Sequence, residues 1–251
     1  EAADGRAGRG GGVGKADREG VSVTEDGGKA GVIGESGLVK SRIQDDTKAS
    51  GLMTSAPRVD HHEDIRETAR LLVEGDVNVA PVFRGEQLDG IITTDAILSA
   101  VLENLDALTV GQIYTDEVIT ATTAATVGQA INRLREHGIS RLPIVDESDS
   151  LTGIITTNDI VNFVVRDENR QEKGDRSGDH DRMLDLPVGN LMTSPVLTAE
   201  RSESVEATVE RMFDNDISGL VVADDDGVGR IITKTDVLRA LTFTEEESMD
   251  V

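Results

Sequence analysis

Two stretches of this 251-residue chain carry a hydroxyl and a carboxylate three positions apart, each directly after a short apolar run: Ile155-Thr156-Thr157-Asn158-Asp159 and Ile232-Thr233-Lys234-Thr235-Asp236. Where such a run gives way to a helix, the Thr hydroxyl points where the helix's first free N–H groups point, a natural seat for an anion. An Asp one turn later can accept two hydrogen bonds from vicinal hydroxyls, which suits a ribose. The same Thr-x-x-Asp before an apolar helix is also a capping box that needs no ligand. The two readings are compatible, since one Thr can do both jobs.

Other chemistry finds little support. There is no Cys, which excludes disulfides, thiolate zinc sites and Cys nucleophiles. His61-His62-Glu63-Asp64 reads as a solvated helix start, because adjacent ligands on a helix point in different directions. His137, just before Gly138, suits a helix C-terminus, and His180 lies in a charged stretch. No Ser/His/Asp arrangement has spacing support. The glycine run around Gly10 to Gly14 is no phosphate loop, since Arg9 stands where Gly is required and Ala16 where Ser or Thr is required. No catalytic residue and no metal site are expected, and the chain is read as not an enzyme.

Charge narrows the partners. Lys+Arg 25 against Asp+Glu 48 leaves a formal net charge of −23, the wrong sign for a nucleic-acid backbone. No apolar run approaches the roughly 20 residues of a membrane helix, and the acidic, Gly-rich amino end does not read as a signal peptide. A soluble, cytoplasmic protein is expected. The acid excess costs self-repulsion that molar salt screens, which points to a halophilic, haloarchaeal type of source; an ordinary acidic regulatory protein is the alternative. With only Phe83, Tyr114, Phe163, Phe213 and Phe243 aromatic, the core must be built from Val, Ile, Leu and Ala.

Internal repeats organise the elements that hold these residues. Three openings match: Leu52-Met53-Thr54-Ser55, Ile113-Tyr114-Thr115-Asp116 and Leu191-Met192-Thr193-Ser194. So do three later signatures: Gly90-Ile91-Ile92-Thr93, Gly153-Ile154-Ile155-Thr156 and Arg230-Ile231-Ile232-Thr233. A weaker fourth copy, Gly31-Val32-Ile33-Gly34, lies upstream. Between opening and signature comes an amphipathic helix, with Ile65, Ala69 and Leu72, then Val127, Ile131 and Leu134, then Val205, Val209 and Met212 on its apolar face. The stops are Gly75, Gly138 and Asn215-Asp216. Two apolar runs joined by a turn follow, and a second helix closes each unit. The predicted order is strand–helix–strand–strand–helix, and units this small should pack sheet to sheet with a neighbour.

On these openings and signatures the chain resembles the cystathionine-β-synthase-type (CBS) domain family. The resemblance implies an α/β fold (α+β repeats) of four tandem units, paired first with second and third with fourth into two Bateman modules. The expected boundaries are 1–47 for a degenerate first unit, 48–109, 110–166, a charged insertion at 167–187, 188–243, and an acidic tail at 244–251. The family binds adenosyl ligands in clefts between paired sheets, with the Thr near phosphate and the Asp on ribose. Carried onto this sequence, that gives Thr156 and Asp159, and Thr233 and Asp236. The pattern further implies Ser140 and Ser218 facing phosphate, Ile139 and Ile217 flanking adenine, and Thr120 and Thr198 in the extended segments before the first helices. Arg141 suits a phosphate, or equally a salt bridge to one of the many carboxylates.

The first half departs from the pattern. Ala96 replaces the Asp of the second unit, and Asp95 stands one residue early, about 100° around the helix. Gly34 and Gly37 replace Thr and Asp in the first unit, and its helix region at 1–20 is broken by glycines. The first module is therefore read as structural, or as binding something other than a ribonucleotide. The expected function is a regulatory sensor of AMP, ADP, ATP or S-adenosylmethionine, with no cofactor required, acting on an unidentified regulated protein by module rearrangement. The alternative is a ligand-free interaction scaffold. Monomer and homodimer both stay open.

Overall fold

A computed structural model describes residues 21–24, 30–33, 54–116, 118–168, 184–223 and 228–242. Expectations placed on residues 1–20, on Gly34 and Gly37, on 169–183 of the insertion and on the 244–251 tail lie outside the described residues. Three strands come first: β1 (Val21–Thr24), β2 (Ala30–Ile33) and β3 (Thr54–Ser55). The second unit follows as β4 (Val59–Asp60), α1 (Ile65–Glu74), β5 (Val79–Arg84), β6 (Gln87–Thr93) and α2 (Thr94–Val101). After a short α3 (Val110–Ile113) and β7 (Thr115–Asp116), the third unit runs β8 (Ala121–Thr122), α4 (Val127–Glu136), β9 (Arg141–Val145), β10 (Leu151–Thr156) and α5 (Thr157–Glu168). The fourth runs β11 (Thr198–Glu200), α6 (Val205–Asp214), β12 (Gly219–Ala223), β13 (Arg230–Thr233) and α7 (Lys234–Thr242). The predicted element order is present in all three units.

Each helix start has its local cause. Asp64, Thr126 and Ser204 cap the first helices, accepting from the N–H groups of Arg66, Gln129 and Ala207 at 2.8, 3.3 and 3.2 Å. At the far ends the left-handed residue is Asp76, Gly138 or Asp216, with φ of 49°, 65° and 54°. The helix stops at Gly75 as expected, and the left-handed turn follows at Asp76. Gly75 is right-handed, and a Cβ there would sit 3.1 Å from the Leu71 carbonyl oxygen and 3.2 Å from Pro57 Cδ.

Within a unit the first strand is parallel to the second, and the second is antiparallel to the third. The units also exchange their openings. Thr54 in β3 lies opposite Val32 of β2, Thr115 in β7 opposite Ile231 of β13, and Thr193 bridges Ile154 of β10. All three place the opening Thr against the same signature position of the paired unit. Linkers are exchanged too. Val127 donates its N–H to Leu186, ahead of the fourth unit, and Val205 donates to Leu108, ahead of the third.

Ile65 corrects the sequence reading. Its counterparts Val127 and Val205 are fully buried, whereas Ile65 is 38% exposed. No linker among the described residues crosses the start of α1 as Leu186 and Leu108 cross those of α4 and α6. The apolar layer also joins units that sequence order keeps apart. Leu72, Ile97 and Leu98 of the second unit share one core with Met212, Val237 and Leu238 of the fourth, while the third unit keeps its own around Leu134, Leu142 and Ile155. Leu72→Ala should therefore cost about 2–5 kcal/mol in urea denaturation. Ile65→Ser should stay within about 0.5 kcal/mol of the parent.

Candidate functional site

Both Thr-x-x-Asp pairs form closed reciprocal caps at the starts of α5 and α7. Asp159 Oδ2 accepts from the Thr156 N–H at 2.8 Å and its hydroxyl at 2.6 Å, while the Asp159 N–H donates to Thr156 Oγ1 at 3.2 Å. Asp236 and Thr233 repeat this at 2.9, 2.6 and 3.2 Å. The capping reading thus holds as geometry, and one oxygen of each carboxylate, Oδ1, faces away from the cap. In the second unit Thr93 caps the Ala96 N–H at 3.1 Å with no carboxylate at that position.

The remaining Oδ1 atoms meet groups that the sequence reading did not single out. Thr115, exchanged from the third unit, donates to Asp236 Oδ1 at 2.9 Å, and Arg239 donates to the same atom at 3.3 Å. Thr193, exchanged from the fourth unit, approaches Asp159 Oδ1 at 3.5 Å. The available signal was the Thr shared by all three openings. Asp236 is 6% exposed, with every carboxylate oxygen partnered; Asp159 is half-buried and holds a single long contact on Oδ1.

Arg141 links the two seats. Its backbone lies opposite Thr156 in the β9–β10 pair, yet its guanidinium crosses to the Ser218 hydroxyl, in the fourth unit. Gly219, which pairs with Thr233, makes room for it: a Cβ there would fall 3.0 Å from Arg141 Nη1 and 2.9 Å from the Ile232 carbonyl oxygen. Burial pushes the Arg141 guanidinium down to about 10, opposed by the charge of Asp236. A half-buried guanidinium held on one neutral hydroxyl favours an anion that enters beside it.

The other expected residues take supporting places. The Ser140 and Ser218 carbonyls accept from the N–H groups of Thr157 and Lys234 at 2.9 and 3.1 Å, tying the start of each second strand to the last helix. Ile139 and Ile217 are half-buried against the two cores. Arg133 and Arg211 bond the Thr120 and Thr198 carbonyls, fixing both lead-in segments. Asp95, displaced by one residue, leaves the seat and meets Lys234 Nζ at 2.6 Å across the α2–α7 contact. An open groove of about 470 Å³ beside α4, lined by Thr122, Gln129, Asn132 and Arg133, involves neither seat. No group of three or more metal-ligating side chains and no helix long and apolar enough to cross a membrane occurs among the described residues.

The CBS domain family profile matches residues 49–103, 110–166 and 188–242, well over half of the chain. The chain belongs to the CBS domain family. Among curated relatives of this CBS protein, an uncharacterized 33.4 kDa protein of Thermofilum pendens is 29% identical over 188 residues, covering 74% of this chain and 61% of the relative. Protein MJ1225 of Methanocaldococcus jannaschii is 30% identical over 179 residues, covering 70% and 63%. The chain thus spans less than two thirds of either relative. The crystal structure of MJ1225 superposes with a TM-score of 0.70 at 23% identity, covering 90% of this chain and 86% of that one. A conserved protein from Pyrococcus horikoshii gives 0.65 at 21%, covering 90% and 92%. These likenesses establish the CBS-pair fold.

Proposed function

We propose that this CBS protein is a regulatory sensor that holds an adenine nucleotide or adenosyl ligand between its third and fourth units. The observation that carries the reading is Arg141, a half-buried cation that crosses from one unit to Ser218 of the other, beside Thr233 and Asp236. The ribose diol would take the Oδ1 side of the carboxylates, and the phosphate would meet Arg141 and the signature Thr. To reach Asp236 Oδ1 the ligand must displace both Arg239, a half-exposed side chain, and the Thr115 hydroxyl.

The first unit fits the same plan as a degenerate copy. β2 receives Thr54 in the register that β13 offers Thr115, while its Gly34 and Gly37 supply neither hydroxyl nor carboxylate. The first module is structural in this reading. The signal passes from the α7 cap to the second unit through the shared core, and the ligand shifts that equilibrium only by binding the two arrangements unequally.

Calorimetry with AMP, ADP, ATP and S-adenosylmethionine in molar KCl tests the proposal. Asp236→Ala should weaken their binding by about 1.5–3 kcal/mol, and Asp159→Ala should weaken that of adenosine, titrated alongside, by a similar amount. Unchanged affinity in both variants would refute the assignment. The ligand-free scaffold predicts no thermal stabilisation by any of the four, whereas a ligand at 100 times its Kd adds about 2.7 kcal/mol.

A further inference from the structure

The two seats are copies of one design, so a side chain that serves one from across the crevice has a counterpart position serving the other. Arg141 of the third unit serves the Thr233–Asp236 seat, reaching Ser218 beside it. Ser218 corresponds to Ser140, and Arg141 corresponds to Gly219. The cation that should cross to Ser140 and the Thr156–Asp159 seat is therefore missing from the sequence itself. The two facts are linked sterically. Nη1 of Arg141 and Cγ2 of Thr233 lie 3.0 and 3.2 Å from where a Cβ on residue 219 would stand, so the single guanidinium fills the space of its own counterpart.

Among the described residues, the other cations of the region are committed elsewhere. Lys234 is held by Asp95 at 2.6 Å, Arg230 by Asp116 at 3.0 Å and Arg239 by Asp236 at 3.3 Å. Arg133 and Arg211 hold the Thr120 and Thr198 carbonyls. A phosphate placed at the Thr156 seat would face the Asp159 carboxylate with no cation among the described residues to offset it, and juxtaposed like charges disfavour binding. An uncharged nucleoside meets no such penalty there, and Asp159 Oδ1, with its one long contact, is open to a diol.

We infer that the crevice takes one phosphate-bearing adenosyl ligand, on Thr233, Asp236 and Arg141, and that the Thr156–Asp159 seat accepts only an uncharged nucleoside. This deepens the sensor reading and rests on it. The module would then weigh a nucleotide against a nucleoside rather than count two nucleotides.

Titration calorimetry of the whole chain with AMP and, separately, with adenosine tests it. One AMP per chain is expected. Arg141→Met, checked for an unchanged circular dichroism spectrum, should lower AMP affinity about tenfold to a hundredfold and adenosine affinity by far less. With wild-type chain saturated in AMP, adenosine should still bind. Two AMP molecules of comparable affinity per chain, or an AMP-to-adenosine affinity ratio unmoved by Arg141→Met, would overturn the asymmetry and leave the sensor reading standing. No binding of either probe would overturn the sensor reading itself.

Discussion

Asp95→Ala is expected to destabilise the folded chain by about 3 kcal/mol, the low end of what breaking a buried ion pair costs. The low end applies because Asp95 is 42% exposed while the Lys234 side chain is only 8% exposed. Removing the carboxylate leaves the ammonium sealed between α2 and α7, where, among the described residues, the Phe213 ring 4.9 Å away faces it. Removing the ammonium leaves a carboxylate whose second oxygen water can reach, so Lys234→Met should cost less, under about 1.5 kcal/mol. Asp95 Oδ1 is closed to solvent and makes no well-directed hydrogen bond, so the contact acts through charge. Replacing both partners should recover most of the loss, since an apolar pair of similar volume is often as stable as a buried ion pair. Urea denaturation in 0.1 and 1 M KCl measures all three. The Asp95→Ala loss should persist in high salt, because a buried pair is screened far less than a surface one. A value within about 0.5 kcal/mol of the parent would show that the pair does not tie the second unit to the fourth.

Asp236→Ala should also cost stability, about 2–4 kcal/mol without any ligand present. The carboxylate is buried, satisfies the Thr233 N–H and hydroxyl, and receives Thr115 from the exchanged strand β7. Its loss orphans a helix-start donor and unpins the third unit from the fourth. Asp159→Ala should cost roughly half as much, because Asp159 is half-buried and Thr193 reaches it only at 3.5 Å. Thr115→Val supplies the control: it keeps the volume, removes one donor, and should cost about 1 kcal/mol. Equal losses at Asp159 and Asp236 would mean that the exchanged threonines contribute nothing.

The caps were legible because they are local. Thr156 lies within one turn of Asp159, as Thr233 does of Asp236, and the repeat register marked both pairs out from other Thr-x-x-Asp spacings. The same logic displaced Asp95 from its seat, since one residue around a helix turns the side chain through about 100°. Its destination was not legible: Lys234 lies far along the chain, and only the packing of α2 on α7 brings them together. Thr115 and Thr193 were visible as repeats but silent about role, because strand exchange is a contact between units and leaves no periodicity within either one. Ile65 failed for a related reason. Helical spacing says which face is apolar, but the linker that covers that face belongs to another unit. Arg141 stood undecided between phosphate and carboxylate, and the structure places its guanidinium on the neutral Ser218 hydroxyl, beside Asp236.

The most direct test of the ligand seat is a crystal structure of the chain grown with saturating AMP. The account predicts ribose hydroxyls within about 3 Å of the Asp236 carboxylate, with Arg141 moved from Ser218 onto the phosphate. Arg141 still closed on Ser218, with no nucleotide beside Thr233, would contradict it.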